Sequence, residues 1–241
     1  VIPGYNEHSY ITKRGNEMIN IKPINQAYMD QGLKILIFGP AGVGKTVACT
    51  TAPSSEKSIL ISSEAGLLSI KDSTIDSVAI NSIQELKEVY SFLNSDKSDH
   101  QWIFIDSLSD IAEVLLSEEK KKVNDPRQAY GVIIEEMGSI IRAFRDLPKR
   151  NVVMTCKQER VQDNLNRLVF SPGLPGAKLG QQIPYFFDGV FALRIIDDGD
   201  GGTYRAFQTQ PDLQYACKDR SGKLDSLEKP SFESIAAKIY N

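Results

Sequence analysis

Short apolar runs separated by longer mixed stretches organise the first 160 residues. Residues 33–38 (Leu-Lys-Ile-Leu-Ile-Phe), 58–62 (Ser-Ile-Leu-Ile-Ser), 78–80 (Val-Ala-Ile), 102–106 (Trp-Ile-Phe-Ile-Asp) and 151–156 (Asn-Val-Val-Met-Thr-Cys) are too short for helices. Continuous runs of that kind predict strands buried on both faces, as in a parallel sheet. Between them the period lengthens. Ile83, Leu86, Val89, Tyr90 and Leu93 share one helical face, and Ser82 with Glu85 has the Ser-x-x-Glu form of a capping box. A helix of about 15 residues is expected after Asp106, ending near Lys120-Lys121-Lys122. Asn124-Asp125-Pro126 predicts the start of the next, with Ala129, Val132, Ile133, Met137, Ile140, Ile141 and Phe144 on one face and Pro148 as its stop.

Beyond residue 156 the pattern changes. Residues 157–178 are polar and irregular, with Pro172-Gly173 and Pro175-Gly176, and read as a long functional or mobile loop. Residues 190–196 and 204–209 predict a hairpin across Asp-Asp-Gly-Asp-Gly-Gly. A further strand is expected near 213–217, and a closing helix from about Phe232. The expected fold class is α/β: a mainly parallel sheet flanked by helices, with an antiparallel C-terminal hairpin edge. Residues 1–17 are polar and aperiodic and precede Met18, so they read as a flexible N-terminal arm or tag remnant. Residues 18–241 read as a single domain.

Composition adds mainly exclusions. A net charge of −3 means that any nucleic-acid surface must be local. Cys49, Cys156 and Cys217 are far apart, and with His8 and His100 they form no metal-ligand spacing; reduced core cysteines are expected. No apolar run approaches the ~18 residues of a membrane span and no signal peptide is visible, so the expectation is a cytoplasmic protein with no membrane partner.

The chemistry begins at residues 39–46. Gly39, Pro40, Ala41, Gly42, Val43, Gly44, Lys45 and Thr46 fit G-x-x-x-x-G-K-[ST], between a predicted strand and a helix expected to run toward Pro53. Such a loop turns backbone N–H groups toward a polyphosphate, and the helix N-terminus adds positive charge. Lys45 would hold the β- and γ-phosphates and Thr46 would ligate Mg²⁺, so ATP and Mg²⁺ are the expected cofactors. Asp106, ending an apolar strand, suits a magnesium-organising carboxylate; a strand-terminal Asp is equally a common cap for the next helix. Glu64, after the second strand, could activate the attacking water, or be a surface residue at a strand end. A kinase acting on a small acceptor would need an arginine-rich lid, and the 157–178 stretch holds only Arg160 and Arg167.

The order of parts resembles the RecA-type P-loop NTPase core: P-loop strand, then Ile-Leu-Ile-Ser-Ser-Glu, then Phe-Ile-Asp-Ser, then Val-Val-Met-Thr-Cys-Lys. The resemblance implies Glu64 as catalytic base, Asp106 as metal carboxylate, and Lys157 or Gln158 in place of the usual γ-phosphate-sensing Gln. Tyr215 to Gly222, containing Lys218-Asp219-Arg220, is similar to the Lys-x-Arg strand end of RecA-like hexameric helicases. There the two cations reach the neighbouring subunit's nucleotide, which implies trans-acting Lys218 and Arg220 and a homo-oligomer, ring or filament. More closely, the short chain, Gly-Pro-x-Gly-Val-Gly-Lys-Thr, the Pro175/Gly176/Gly180 stretch and Lys-Asp-Arg-Ser-Gly resemble small bacteriophage proteins of single-strand annealing and recombination. That resemblance implies a DNA-stimulated, Mg-dependent ATPase in the cytoplasm of a bacterial host, binding single-stranded DNA, with a single-strand-binding protein as a further partner. The counterparts of the family's DNA loops are residues 119–131, with Lys120, Lys121, Lys122, Arg127 and Tyr130, and residues 157–180, with Lys157, Arg160, Arg167, Phe170 and Lys178. Cations there could track phosphates and an aromatic could stack on bases; the same residues could be a solvated surface, and lysines at a helix C-terminus favour its dipole without DNA. A nucleotide-controlled binding module with slow turnover and no DNA role is the alternative.

Overall fold

The computed structural model describes residues 11–14, 17–20, 23–24, 31–63, 66–163 and 165–240. Strands β1 (Ile11–Arg14) and β2 (Glu17–Asn20) pair antiparallel, Arg14 opposite Glu17. This ladder crosses the 17/18 boundary that the sequence places between arm and domain.

The body is a three-layer α/β sandwich. Its elements follow in the order β3 (Lys34–Gly39), α1 (Lys45–Cys49), β4 (Ser58–Ser62), β5 (Asp76–Ala79), α2 (Ile83–Leu93), β6 (Trp102–Asp106), α3 (Leu108–Lys120) and α4 (Pro126–Arg145). After these come β7 (Asn151–Gln162), β8 (Leu168–Gly173), α5 (Ala177–Gln182), β9 (Gly189–Asp197), β10 (Thr203–Gln208), β11 (Lys218–Asp219), β12 (Leu227–Glu228) and α6 (Phe232–Tyr240). Among the described residues the sheet runs β12-β10-β9-β3-β7-β6-β4-β5, with β11 on β9 and β8 on β7. The six strands from β9 to β5 are parallel, and β8, β10, β11 and β12 join antiparallel. The expected mainly parallel sheet with an antiparallel C-terminal hairpin edge is what forms.

Alternation along the strands divides the core, because successive side chains face opposite sides of a sheet. Leu36, Phe38, Ile103, Ile105, Val152 and Met154 face α2, α3 and α4. Ile35, Ile37, Trp102, Phe104 and Val153 face α1 and α6. On that second side the Phe232 ring lies 5.5 Å from Phe104, 5.6 Å from Phe207 and 5.9 Å from Trp102. These aromatic contacts hold the C-terminal helix under the P-loop strand, which is why a hairpin and helix remote in sequence belong to the same core.

Three expectations need correction. Residues 157–178 are not an irregular loop: β7 continues to Gln162 and pairs with β8 from Lys157↔Gly173 to Gln162↔Leu168. The tip closes on Asp163, whose Oδ1 accepts from Leu165 and Arg167 N–H groups. The β7 half of this hairpin, Lys-Gln-Glu-Arg-Val-Gln, is mainly polar and only partly buried, so it lacks the apolar alternation that marks a half-buried strand. The strand expected at 213–217 is reduced to one bridge, Tyr215 to Phe170, followed by the two-residue β11. Asp212 Oδ1 accepts from the Gln214 and Tyr215 N–H groups at 2.7 Å each, a turn that competes with extended pairing. Finally, α1 stops at Cys49 instead of running to Pro53. The Thr50 and Thr51 hydroxyls donate to the Val47 and Ala48 carbonyls, at 2.8 and 2.6 Å, and end the helix. Thr51 Oγ1 in turn accepts from Phe232 N–H at 2.9 Å, tying α6 to the end of α1.

Candidate active site

The P-loop leaves the C-terminal end of β3 and turns under a cleft of about 780 Å³, lined by Gly39, Pro40, Ala41, Gly42, Gly44, Lys45 and Thr46. Its glycines are demanded by geometry, as Gly44 and Gly39 show. Gly44 has φ 104°, a left-handed conformation that side chains disfavour. A Cβ on Gly39 would sit 2.7 Å from the Leu193 carbonyl oxygen on β9. Val43 points inward and is buried. Because α1 is barely more than one turn, its dipole adds little, and attraction for an anion rests on the loop N–H groups and Lys45. Lys45 Nζ donates to the Gly39 and Pro40 carbonyls, at 3.0 Å each.

Asp106 lies across from Thr46. The Thr46 hydroxyl donates to Asp106 Oδ2 at 2.6 Å, and the buried Thr155 hydroxyl on β7 donates to Oδ1. Asp106 does not cap the next helix; Ser107 does, accepting from Asp110 N–H. The carboxylate is thus released from the structural role that sequence left open. One carboxylate and one hydroxyl, convergent and hard, suit Mg²⁺, which takes its other ligands from phosphate and water. Ser63, whose N–H donates to the Asp106 carbonyl at 3.1 Å, has a buried hydroxyl with no partner among the described residues. A further polar ligand at this strand end would satisfy it. The residues present therefore fit a magnesium nucleotide, held by Thr46 and Asp106.

Lys157 and Gln158 line the same cleft. Lys157 Nζ is 2.8 Å from Asp110 Oδ1 and 3.0 Å from Glu113 Oε1, and these two carboxylates raise its pKa above the usual lysine range. Asp110 also accepts from the Ser107 hydroxyl. The candidate sensor is therefore an ion-paired cation. Glu64 lies outside the described residues. Cys49, Cys156 and Cys217 are buried free thiols, as expected, and burial pushes Cys156 and Cys217 up to about 12.

Lys218 and Arg220 lie elsewhere. Lys218 pairs with Val190 at the start of β9, which itself runs beside the start of β3. The P-loop is at the opposite end of β3, about 13 Å further along the strand from Ile35 to Gly39. Lys218 Nζ donates to the Pro184 carbonyl at 2.6 Å, and partial burial together with nearby Arg220 lowers its pKa. Arg220 pairs with Asp188 at 2.9 Å. Neither lines the cleft of its own chain.

The two basic segments come together. A Cβ at Gly176 would lie 3.7 Å from the Tyr130 ring, which brings the start of α4 beside the segment after β8. Lys120 Nζ lies 5.4 Å from the Tyr130 ring centre. Lys122 pairs with Glu119, Arg127 with Asp125 and Arg167 with Asp163, while Lys121 and Lys178 are exposed. Phe170 is half-buried: it stacks on Tyr215 at 4.9 Å, with the Arg160 guanidinium 4.8 Å from its ring. Stacking a base there would require this side-chain stack to rearrange.

Sequence reasoning missed Thr155, Asp110 and Arg205. Thr155 had a signal, a lone hydroxyl among apolar residues of a buried strand, which must find a partner. Arg205 had none; it reaches the cleft because the β9–β10 hairpin folds back over the loop. No helix among the described residues is long and apolar enough to cross a membrane.

Comparison with known proteins adds three findings. No curated protein matches the sequence. Among solved structures, a KaiC-like protein from the hyperthermophilic archaeon Pyrococcus horikoshii OT3 aligns with a TM-score of 0.43 and 14% identity, over 73% of this chain and 78% of its own. A family model described as AAA domain matches residues 31–221. That match takes in every element from the P-loop strand to the Lys218–Arg220 segment, and the chain belongs to the AAA domain family, as a P-loop ATPase.

Proposed function

We propose that this protein is a magnesium-dependent ATPase that assembles on single-stranded DNA and promotes recombination or annealing, in the manner of the small phage proteins its motifs resemble. The observation that carries the reading is the course of β7. Within six residues this strand places Thr155 on the metal carboxylate, Lys157 in the cleft and Arg160 on the β7–β8 hairpin. At about 3.3 Å per residue the span is roughly 17 Å of continuous ladder. A change at Asp106 on hydrolysis can reach the basic hairpin through that ladder. Lys120, Lys121 and Lys178, near the Tyr130–Gly176 contact, supply the phosphate-tracking charge.

In this reading ATP sits on the P-loop with Mg²⁺ on Thr46 and Asp106, and Glu64 takes the proton of the attacking water. Lys157 leaves Asp110 when a γ-phosphate is present. Lys218 and Arg220, remote from their own cleft, complete the site of the next subunit in a ring or filament, stabilising charge on the transferring phosphoryl. The protein works in the cytoplasm of a bacterial host, beside a single-strand-binding protein.

The test is ATP hydrolysis with and without single-stranded DNA, together with DNA retention at rising salt. Stimulation by DNA, and retention that falls steeply with salt, are expected. Slow turnover with neither effect would replace this reading with a nucleotide-controlled binding module.

A further inference from the structure

Arg205 is a cation of the cleft that neither the motif nor the proposed reaction uses. It sits on β10, opposite Ile195 of β9. The last ladder pair between β9 and β3 is Phe38↔Ala192, so β9 and β10 continue past the end of β3 and overhang the P-loop. Leu193 and Arg205 form that wall of the cleft. Arg205 Nε donates to the Val43 carbonyl at 2.9 Å, and its side chain passes 3.6 Å from the position of a Cβ at Gly44. Its two terminal nitrogens have no acceptor among the described residues, and the side chain is exposed to the cleft. A planar guanidinium anchored by Nε presents those two nitrogens in a fixed fork, the geometry that suits phosphate oxygens.

Sheet order decides which part of a nucleotide it meets. Asp106 comes from β6, two strands to one side of the P-loop strand, and Arg205 from β10, two strands to the other. A polyphosphate whose metal-bound end lay toward Asp106 would present its other end toward Arg205. The two remaining cations of the cleft are held by their own chain, Lys45 by loop carbonyls and Lys157 by Asp110 and Glu113.

We propose that Arg205 is a nucleotide-binding residue supplied by the same chain, which grips the phosphate nearest the nucleoside and so holds ATP and ADP alike. The inference rests on the P-loop cleft being the nucleotide site, and the experiment separates the two. Titrating MgATP and MgADP into wild type and Lys45→Ala tests the site: a wild type that binds neither nucleotide overturns the site reading and Arg205's role with it. Arg205→Ala and Arg205→Gln then test the residue. Glutamine keeps an N–H donor for the Val43 carbonyl but loses the charge. Both variants should weaken ATP and ADP binding by the same factor, about tenfold for one charge-assisted contact, with the deficit shrinking at high salt. Wild-type affinity in both variants overturns the proposal. So does wild-type affinity in Arg205→Gln alone, which would leave Arg205 a prop for the loop. A loss confined to ATP would place Arg205 at the γ-phosphate and overturn the assignment to the nucleoside end.

Discussion

Replacing Thr155 by valine tests whether the buried strand between the P-loop and Asp106 tunes the metal site. The change substitutes a methyl for a hydroxyl of similar size at a position with 0% exposure, so it opens no sizeable cavity. It removes the donor to Asp106 Oδ1 and leaves Thr46 on Oδ2. A hydrogen bond to a charged group is worth about 1.5–3 kcal/mol, and the orphaned oxygen faces an apolar side chain instead of water. In the proposed function, magnesium binding depends on where that carboxylate points. At about 1.4 kcal/mol per tenfold, the share of that loss felt only with metal bound raises the Mg²⁺ requirement, by at most roughly 10–150-fold. Residues that orient metal ligands typically cost about 10–100-fold when removed, which agrees. The assay is the Mg²⁺ dependence of nucleotide binding and of ATP hydrolysis, with Thr155→Ser as the control that keeps the hydroxyl. The valine variant should also unfold at lower denaturant, by about 1–2 kcal/mol. A valine variant whose half-saturating Mg²⁺ stays within about twofold of wild type would refute the coupling, since Thr155 would then only fill space.

The remaining expectations concern the opposite end of the strands from the P-loop. Burial lowers the Lys34 pKa from the usual 10.5 to about 8, its ammonium donating to the Leu147 and Arg150 carbonyls. Below pH 8 the burial penalty is fully present, because folded and unfolded forms both hold the proton. Between pH 8 and 10.5 the unfolded form binds more protons, so Lys34's contribution to stability rises with pH. The difference in unfolding free energy between wild type and Lys34→Met should shift by roughly 3 kcal/mol across that window; a pH-independent difference in denaturant titrations would contradict this. Arg220→Ala breaks an ion pair whose side chains are 59% and 43% exposed, so it should change folding stability by no more than about 1 kcal/mol. ATPase activity should fall in Arg220→Ala alone and return when it is mixed with Lys45→Ala, each variant supplying what the other lacks; no recovery on mixing would remove the trans role.

Much of this molecule could be read before any coordinates. The buried strands 33–38, 58–62 and 102–106, the capping box at Ser82 and the helix opened by Asp125 all declare themselves locally. The Glu85 N–H donates to the Ser82 hydroxyl at 3.2 Å and the Arg127 N–H to Asp125 Oδ1 at 2.9 Å. Such signals survive in sequence because periodicity and caps depend on neighbours within a few residues. The P-loop is legible for the same reason, being eight consecutive residues with one function. The β7–β8 hairpin was not, because its β7 half is a mainly polar run with no apolar alternation, although β8 is largely buried.

Contacts between distant residues lie beyond local pattern. That Thr155 holds Asp106 depends on β7 lying between β3 and β6, an order no stretch of sequence states. That Arg205 faces the P-loop, and that Lys218 and Arg220 do not, follows from which strands pair with β9 and from which end. The amino-acid pattern specifies elements because hydrophobic burial and backbone hydrogen bonding act over short separations. Which side chains share a cleft is set by strand order and register, and those are chosen by the packing of the whole sheet between its two helical layers.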